Sequence, residues 1–207
     1  MGFYSRELLP RWITCACGAE PMAKQRAKIV PRARGRVLEM GLGAGHNLPY
    51  YDANQVTSLV GIDPCETSWK LAAKRVAATP FDVRFIAGSA EDLPIEDASM
   101  DTVAFTYTLC TIPDPVAALR EAHRVLRPDG QLLFCEHGRA PDASVRRWQD
   151  RLNPLWRRIA GGCNLNRDIV EILLESGFRG DDIEHLYLPK TPRFAGFNTW
   201  GCVFPAR

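Results

Sequence analysis

Arg36-Val-Leu-Glu-Met-Gly-Leu-Gly-Ala-Gly-His-Asn-Leu-Pro-Tyr50 begins as a short apolar run and breaks into three glycines at every second position. Val37, Leu38 and Met40, bracketed by Gly35 and Gly41, read as a buried strand over about 36–40. Gly41, Gly43 and Gly45 let the chain turn off the strand end and let a ligand lie against main chain with no Cβ in the way. Such a loop at the carboxyl edge of a first strand is the ligand site of a doubly wound sheet. A dinucleotide fingerprint would space its glycines G-x-G-x-x-G and offer a helix N-terminus to a pyrophosphate. Here the spacing is G-x-G-x-G, position 46 is His, and Glu39 stands two residues before the first glycine. A carboxylate at the loop mouth repels phosphate and suits a ligand with an ammonium or sulfonium charge.

Downstream, the pattern of an α/β sheet continues. A short helix after the glycine loop leads to a second strand, Ser58–Ile62, ended by Asp63-Pro64. Asp63 lies 22 residues beyond Gly41, where a carboxylate can accept both ribose hydroxyls of an adenosine lying across the loop. It is equally suited to cap the helix expected over Glu66–Ala78. Val83–Ala87 reads as a third strand and Met100–Thr106 as a fourth, buried in mid-sheet. Pro115–Leu126 is amphipathic, and Arg127-Pro-Asp-Gly130 reads as a turn into a fifth strand, Gln131–Glu136.

The flanks differ in character. Leu8, Leu9, Trp12, Ile13 and Ala16 recur at helical spacing around Pro10, and a second helical piece over about 20–30 precedes Pro31. Residues 1–35 therefore read as a helical lid in front of the sheet. Beyond residue 142 the sequence turns aromatic and basic, with a helix expected over Ala143–Ile159, bent near Pro154, and another over Arg167–Ser176 closed by Gly177. Strands over about 182–188 and 196–204 close the sheet as an antiparallel pair.

At 207 residues the chain reads as one domain, with 36–138 as its ligand-binding half and 139–207 as the acceptor side. No apolar run is long enough for a transmembrane helix, and no secretory signal is legible, so a cytoplasmic protein is expected. Seven scattered cysteines, with Cys15-x-Cys17 lacking a second pair at zinc-finger spacing, read as reduced thiols with no metal site. The net charge of +2 hides an asymmetry, because residues 1–36 carry +6 and residues 139–167 carry +5. These are either solvated helix faces or a basic surface, so segments 6–36 and 139–167 leave open a peripheral contact with an anionic membrane.

The run E-x-G-x-G-x-G, the Gly61-Ile-Asp63-Pro64 signature and Leu119–Leu132 resemble class I S-adenosylmethionine (SAM) methyltransferases over about 36–138. A nearer likeness is to the methyltransferase-like 7 type, alkyl-thiol S-methyltransferases of the endoplasmic reticulum. It is carried by Leu38-Glu39, Asn47, Thr106, Leu109-Cys110, Glu136-His137, Trp148-Gln149, Leu152, Pro154, Trp156, Gly162-Cys-Asn-Leu165 and Arg167. The chain departs from that type in lacking an apolar N-terminal anchor and in having Asn153 where the family has an acid. Its first 35 residues look instead like those of small bacterial methyltransferases.

The resemblance implies a Rossmann-like doubly wound seven-stranded sheet with an antiparallel last strand, and SAM as cofactor with S-adenosylhomocysteine as product. It implies a cofactor site of Glu39, Gly41, Gly43, Gly45, Asn47, Asp63, Pro64, Ser89, Ala90, Glu91 and Thr106. The family's adenine-binding Asp is replaced by Ser89, a departure for which Glu91 or the Ala90 backbone could substitute. Tyr107, Cys110, Trp148, Trp156 and Asn164 are the expected acceptor contacts, although core packing competes for the two tryptophans. His137 is the leading base and also a natural strand-end hydrogen-bonding residue; Asp150 and Tyr4 are weaker candidates. The acceptor is expected to be a small, fairly apolar molecule, a thiol by preference, with a phospholipid headgroup or a small O-acceptor as alternatives. RNA-binding signatures such as aromatic RNP motifs are missing, so no nucleic-acid partner is expected.

Overall fold

The computed structural model describes residues 9–206. It contains a seven-stranded sheet of order β3-β2-β1-β4-β5-β7-β6. The strands are β1 Gly35–Met40, β2 Val56–Asp63, β3 Asp82–Ala87, β4 Met100–Thr106, β5 Leu126–His137, β6 Phe178–Tyr187 and β7 Phe197–Pro205. The first five run parallel, and β7 inserts antiparallel between β5 and β6. The Rossmann-like doubly wound architecture and the antiparallel closing pair stand as the sequence suggests.

Alternation along the strands builds the two cores. Leu38, Met40, Val103, Phe105, Leu132 and Phe134 face one apolar cluster. Val37, Leu59, Leu133, Cys135 and Trp200 face another. Neighbouring residues of a strand point to opposite sides, so each cluster occupies one face. The first is covered by α4 (Pro115–Val125) and α6 (Ile169–Glu175), whose Asp168 side chain caps the Glu171 amide. The second is closed by the end of α2 (Glu20–Ile29) through Ile29 and Val30. On that side α1 (Leu9–Cys17) packs against α3 (Glu66–Ala77). The remaining helices are α5 (Ala143–Ile159) and the short α7 (Arg193–Gly196), which contact each other.

Several bounds differ from the sequence reading, most of all β6, which begins at Phe178 rather than about 182, and three further details differ in kind. The glycine loop leads into a 3-10 turn at Leu48–Tyr50 rather than a short α-helix, because Pro49 and Tyr50 are followed at once by extended Tyr51. Arg127–Gly130 lies inside β5 instead of before it. The register with β4 steps from Met100↔Leu126 to Thr102↔Gln131, so these four residues bulge out of a strand that has already begun. Helix α3 takes Cys65 as its N-cap with no side-chain cap, so Asp63 does not cap it.

Strand β1 sits between β2 and β4. The chain leaves β1 for β2 on one side and arrives at β4 from the other, so their carboxyl ends diverge and open a crevice. The glycine loop, the Asp63-Pro64 turn and the segment from Tyr107 start at those ends.

Candidate active site

The crevice is a cleft of about 350 Å³, within the size range of small-molecule sites. The glycine loop forms one side. Gly41, Gly43 and Gly45 all have positive φ, at 74°, 55° and 71°. A Cβ on Gly41 would strike Thr108 at 2.6 Å and one on Gly45 would strike Leu48 at 2.8 Å, whereas one on Gly43 would meet only the Gly41 carbonyl at 3.8 Å. Gly41 and Gly45 are therefore required by packing, and Gly43 by its backbone angle and the open space in front of it.

Two carboxylates hold the loop. Asp63 accepts the Gly43 amide at 2.9 Å and the Cys65 amide at 2.8 Å. Burial raises its pKa, and those two amides pull it back. Glu39 is 2% exposed. It accepts Asn47 Nδ2 at 3.0 Å and the Tyr51 hydroxyl at 2.9 Å, and Asn47 Nδ2 also reaches Thr106 Oγ1 at 2.9 Å. Burial drives the Glu39 carboxyl up to about 8 against the opposing effects of Tyr51, Arg26 and Asn47. Ser89 and Glu91 hydrogen-bond each other across the far rim, and Glu91 also accepts the Asp114 amide at 2.7 Å.

A cation enters from the N-terminal segment. Arg26 of α2 lines the cleft, is 3% exposed, donates from NH1 to the Cys17 carbonyl at 2.6 Å and lies 4.8 Å over the Tyr107 ring. Its Nε and the Asn47 Oδ1 are buried with no partner among the described residues. Buried polar atoms left unpaired in a cleft call for an explanation, and a bound polar ligand supplies one. An amino-acid moiety answers this need, because its carboxylate suits the guanidinium and its ammonium suits Glu39 and Asn47. The donor set thus fits SAM. Arg26, Glu39 and Asn47 would hold the methionine end, Asp63 the ribose, and Gly88, Ser89, Ala90 and Glu91 the adenine. Pro64 and Thr106 also line this part of the cleft.

Opposite the glycine loop runs the segment after β4. Tyr107 sits at φ 56°, a costly angle for a bulky residue. Its hydroxyl donates to Asn198 Oδ1 at 2.9 Å and its amide to the Cys135 carbonyl at 2.9 Å. Buried Glu136 then collects the amides of Thr108, Leu109 and Cys110 at 2.6, 2.9 and 3.4 Å. Burial lifts Glu136 to about 7, with the three amides and His137 opposing. From the other side Arg167 donates to the Leu109 and Ile112 carbonyls. Asn164 donates to the Cys110 carbonyl through its amide at 2.8 Å and its side chain at 3.0 Å. The loop is thus held by a carboxyl group on its N–H groups and a guanidinium on its carbonyls.

Among the acceptor-side candidates, Tyr107 lines the cleft. Cys110 is buried behind the wall, next to Thr111, which does line it. Asn164 fixes that loop from behind. Trp156 donates to Cys163 Sγ at 3.3 Å and packs edge-on against Phe194, while Trp148 is 57% exposed on the outer side of α5. His137 points Nε2 at Cys163 Sγ, 3.0 Å away, and is not among the cleft-lining residues. Asp150 accepts Asn166 Nδ2 at 2.8 Å, also off the cleft. Tyr4 lies outside the described residues.

Arg26, His46, Glu136 and Arg167 were not singled out as site residues from the sequence. Position 46 was noted only as a break in the dinucleotide pattern, yet its imidazole lines the cleft with Nε2 3.0 Å from the Thr14 carbonyl. Burial, with Arg26 and Arg75 adding to it, lowers the pKa of His46 to about 4.

The fold and this cleft define a class I SAM-dependent methyltransferase, and the chain belongs to that family. Residues 38–134 match the family model described as a methyltransferase domain. Human thiol S-methyltransferase TMT1B is 35% identical over 176 residues, covering 79% of this chain and 71% of that protein. The Rattus norvegicus thiol S-methyltransferase TMT1B is 32% identical over 169 residues, with 77% and 68% covered. Among solved structures, the YcgJ protein of Bacillus subtilis superposes with a TM-score of 0.69 at 20% identity, over 90% of this chain and 98% of that one.

Proposed function

We propose that the protein methylates the sulfur of a small, fairly apolar thiol. The observation that carries this reading is that, among the described residues, no strong base lines the cleft apart from the carboxylates assigned to the cofactor. Beside the residues assigned to the cofactor, the lining includes Ile13, Thr14, Cys17, Tyr107, Thr111, Ile112 and Pro113, with no further carboxylate among the described residues. Its one imidazole, His46, is a weak base by virtue of its burial. SAM supplies a methyl group on a sulfonium. The acceptor must bring its own lone pair, and a thiol with a free pKa near 8.5 is partly ionised at neutral pH without help. Alcohols and phenols would need a base that these residues do not offer. What the chain contributes is therefore alignment: the glycine loop fixes one reactant, and the doubly clamped 107–112 loop forms the wall against which the other is held. The two relatives named as thiol S-methyltransferases support the same choice of acceptor atom.

The test is S-adenosylhomocysteine release with thiol, amine, phenol and phosphatidylethanolamine acceptors at equal concentration. Turnover is expected with thiols, with kcat/KM rising as pH approaches the thiol pKa. Release with phenols or the lipid, and none with any thiol, overturns the reading.

A second reading, a lipid headgroup acceptor at an anionic surface, draws on α5. Trp148 and Leu155 are exposed on that helix at 57% and 59%, beside exposed Arg147, Arg151 and Arg158. Apolar anchors flanked by arginines are what an interfacial helix presents. Among the described residues no helix is long and apolar enough to cross a membrane. Co-flotation with vesicles containing phosphatidylserine, lost on Trp148→Ser with Leu155→Ser, would favour this second reading; no flotation would remove it.

A further inference from the structure

Behind the acceptor wall, three side chains from three separate elements converge. Cys110 lies on the loop after β4 and is fixed there by Glu136 and Asn164. His137 ends β5. Cys163 follows α5 in a turn that needs positive φ at both Gly161 and Gly162. The two sulfurs and an imidazole nitrogen all lie within 4.8 Å of one another. His137 Nε2 is 3.0 Å from Cys163 Sγ, which Trp156 Nε1 also approaches at 3.3 Å.

We propose that Cys110, His137 and Cys163 form a binding site for a thiophilic d10 dication of the Zn2+ type. Two sulfurs and one imidazole are a donor set for zinc and not for magnesium or calcium, which take oxygen. Tetrahedral zinc with bonds of about 2.3 Å to sulfur and about 2.0 Å to nitrogen separates its ligand atoms by about 3.5–3.8 Å. The present spacings bracket that range, so small side-chain rotations complete the geometry. Charge favours it too, because two thiolates neutralise a dication and leave no net charge buried. The Trp156 N–H would then serve as an outer hydrogen bond to a ligating sulfur, and the backbone restraints on Cys110 would fix the direction of the other. A fourth, exchangeable ligand would complete the coordination.

The consequence of such a site is mechanical. Thr111, next to Cys110, and Gly161, two residues before Cys163, both line the cleft. A metal at the cluster would fasten the loop after β4, the end of β5 and the turn after α5 into one wall. This holds whichever acceptor the enzyme uses.

The test is titration of the reduced full-length protein with Co2+ alone, followed by displacement with Zn2+. One Co2+ per chain is expected, with sulfur-to-cobalt charge transfer and tetrahedral d–d bands that Zn2+ abolishes. Cys163→Ser should weaken uptake by more than about 100-fold, and His137→Gln should alter the d–d bands. Cys15→Ser, at an exposed thiol on α1, should change neither. A second measurement needs no variant: Zn2+ should protect Cys110 and Cys163 from alkylation in the intact protein, as mapped on peptides. Absence of thiolate–cobalt bands in the wild type overturns the proposal. So does uptake that survives Cys163→Ser, or protection that falls on Cys15 or Cys65 instead.

Discussion

Glu39 is buried beneath the glycine loop with a carboxyl whose pKa is raised to about 8, so at neutral pH the cofactor-free protein holds it mostly protonated. A ligand bearing an ammonium and a sulfonium favours the ionised form, and binding must then expel a proton. Affinity for SAM should accordingly rise with pH, by up to about tenfold per unit below pH 8, and level off above. Calorimetry in buffers of different ionisation enthalpy should register that proton, and Glu39→Gln should abolish both effects. Stability runs the other way without ligand. The folded chain keeps a proton that the unfolded chain loses from about 4.5 upward, so this group's contribution declines as pH rises from about 4.5 to about 8. Gly43 makes a sharper test of the loop. Valine there would meet a positive φ and push its side chain into the cleft. Gly43→Val should fold yet bind SAM too weakly to measure; a folded variant with normal affinity would refute the assignment. The sequence exposed Glu39 and the glycines because their spacing is local. It did not expose Arg26, because Lys24, Arg26 and Lys28 look alike until the helix chooses which to bury.

At the level of elements, the loop after β4 depends on Glu136, Asn164 and Arg167, all distant in sequence. Arg167, from just before α6, donates to the Leu109 and Ile112 carbonyls. Arg167→Met would leave buried carbonyls unpaired and should cost about 2 kcal/mol or more, seen as a Tm lower by about 4–8 °C. Turnover should fall further than SAM affinity, since the glycine loop is untouched. Equal loss of both would show that the loop serves the cofactor alone. Elements with strong local patterns were read with the bounds they have: β4 over 100–106 and α5 over 143–159, despite Pro154. Arg127-Pro-Asp-Gly130 was misread because turn-forming residues say nothing of what pairs on either side, and β4 pairs with β5 at Leu126 before the bulge and from Gln131 after it. His137 invited a reading as a base from its place at a strand end. Only the fold brings Cys163 to its nitrogen, 26 positions further along the chain.

For the molecule as a whole, several described cations of the N-terminal segment are engaged in contacts within the chain. Arg26 is buried, Lys28 lies 4.1 Å over the Trp200 ring, Arg32 pairs with Asp182 and Arg36 is 3.8 Å from Asp101. A basic stretch in a sequence thus need not become a basic surface, and on α5 it does so more than on α2. Deleting residues 1–18 removes Ile13, Thr14 and Cys17 from the cleft wall. It should leave SAM bound within a few-fold and strip most turnover with small acceptors, as steady-state kinetics beside calorimetry would show. Undiminished turnover would mean that the segment does not cover the acceptor. Arg26 joins these parts, since one guanidinium touches the carbonyl that ends α1, the ring of Tyr107 and the cleft. Any carboxylate that engages its free Nε also braces α1 through the same group. By reciprocity, what orders the N-terminal helix tightens the cofactor by the same factor. Saturating SAM should therefore slow limited proteolysis at α1 in the wild type, and Arg26→Gln should uncouple the two, leaving cleavage indifferent to cofactor.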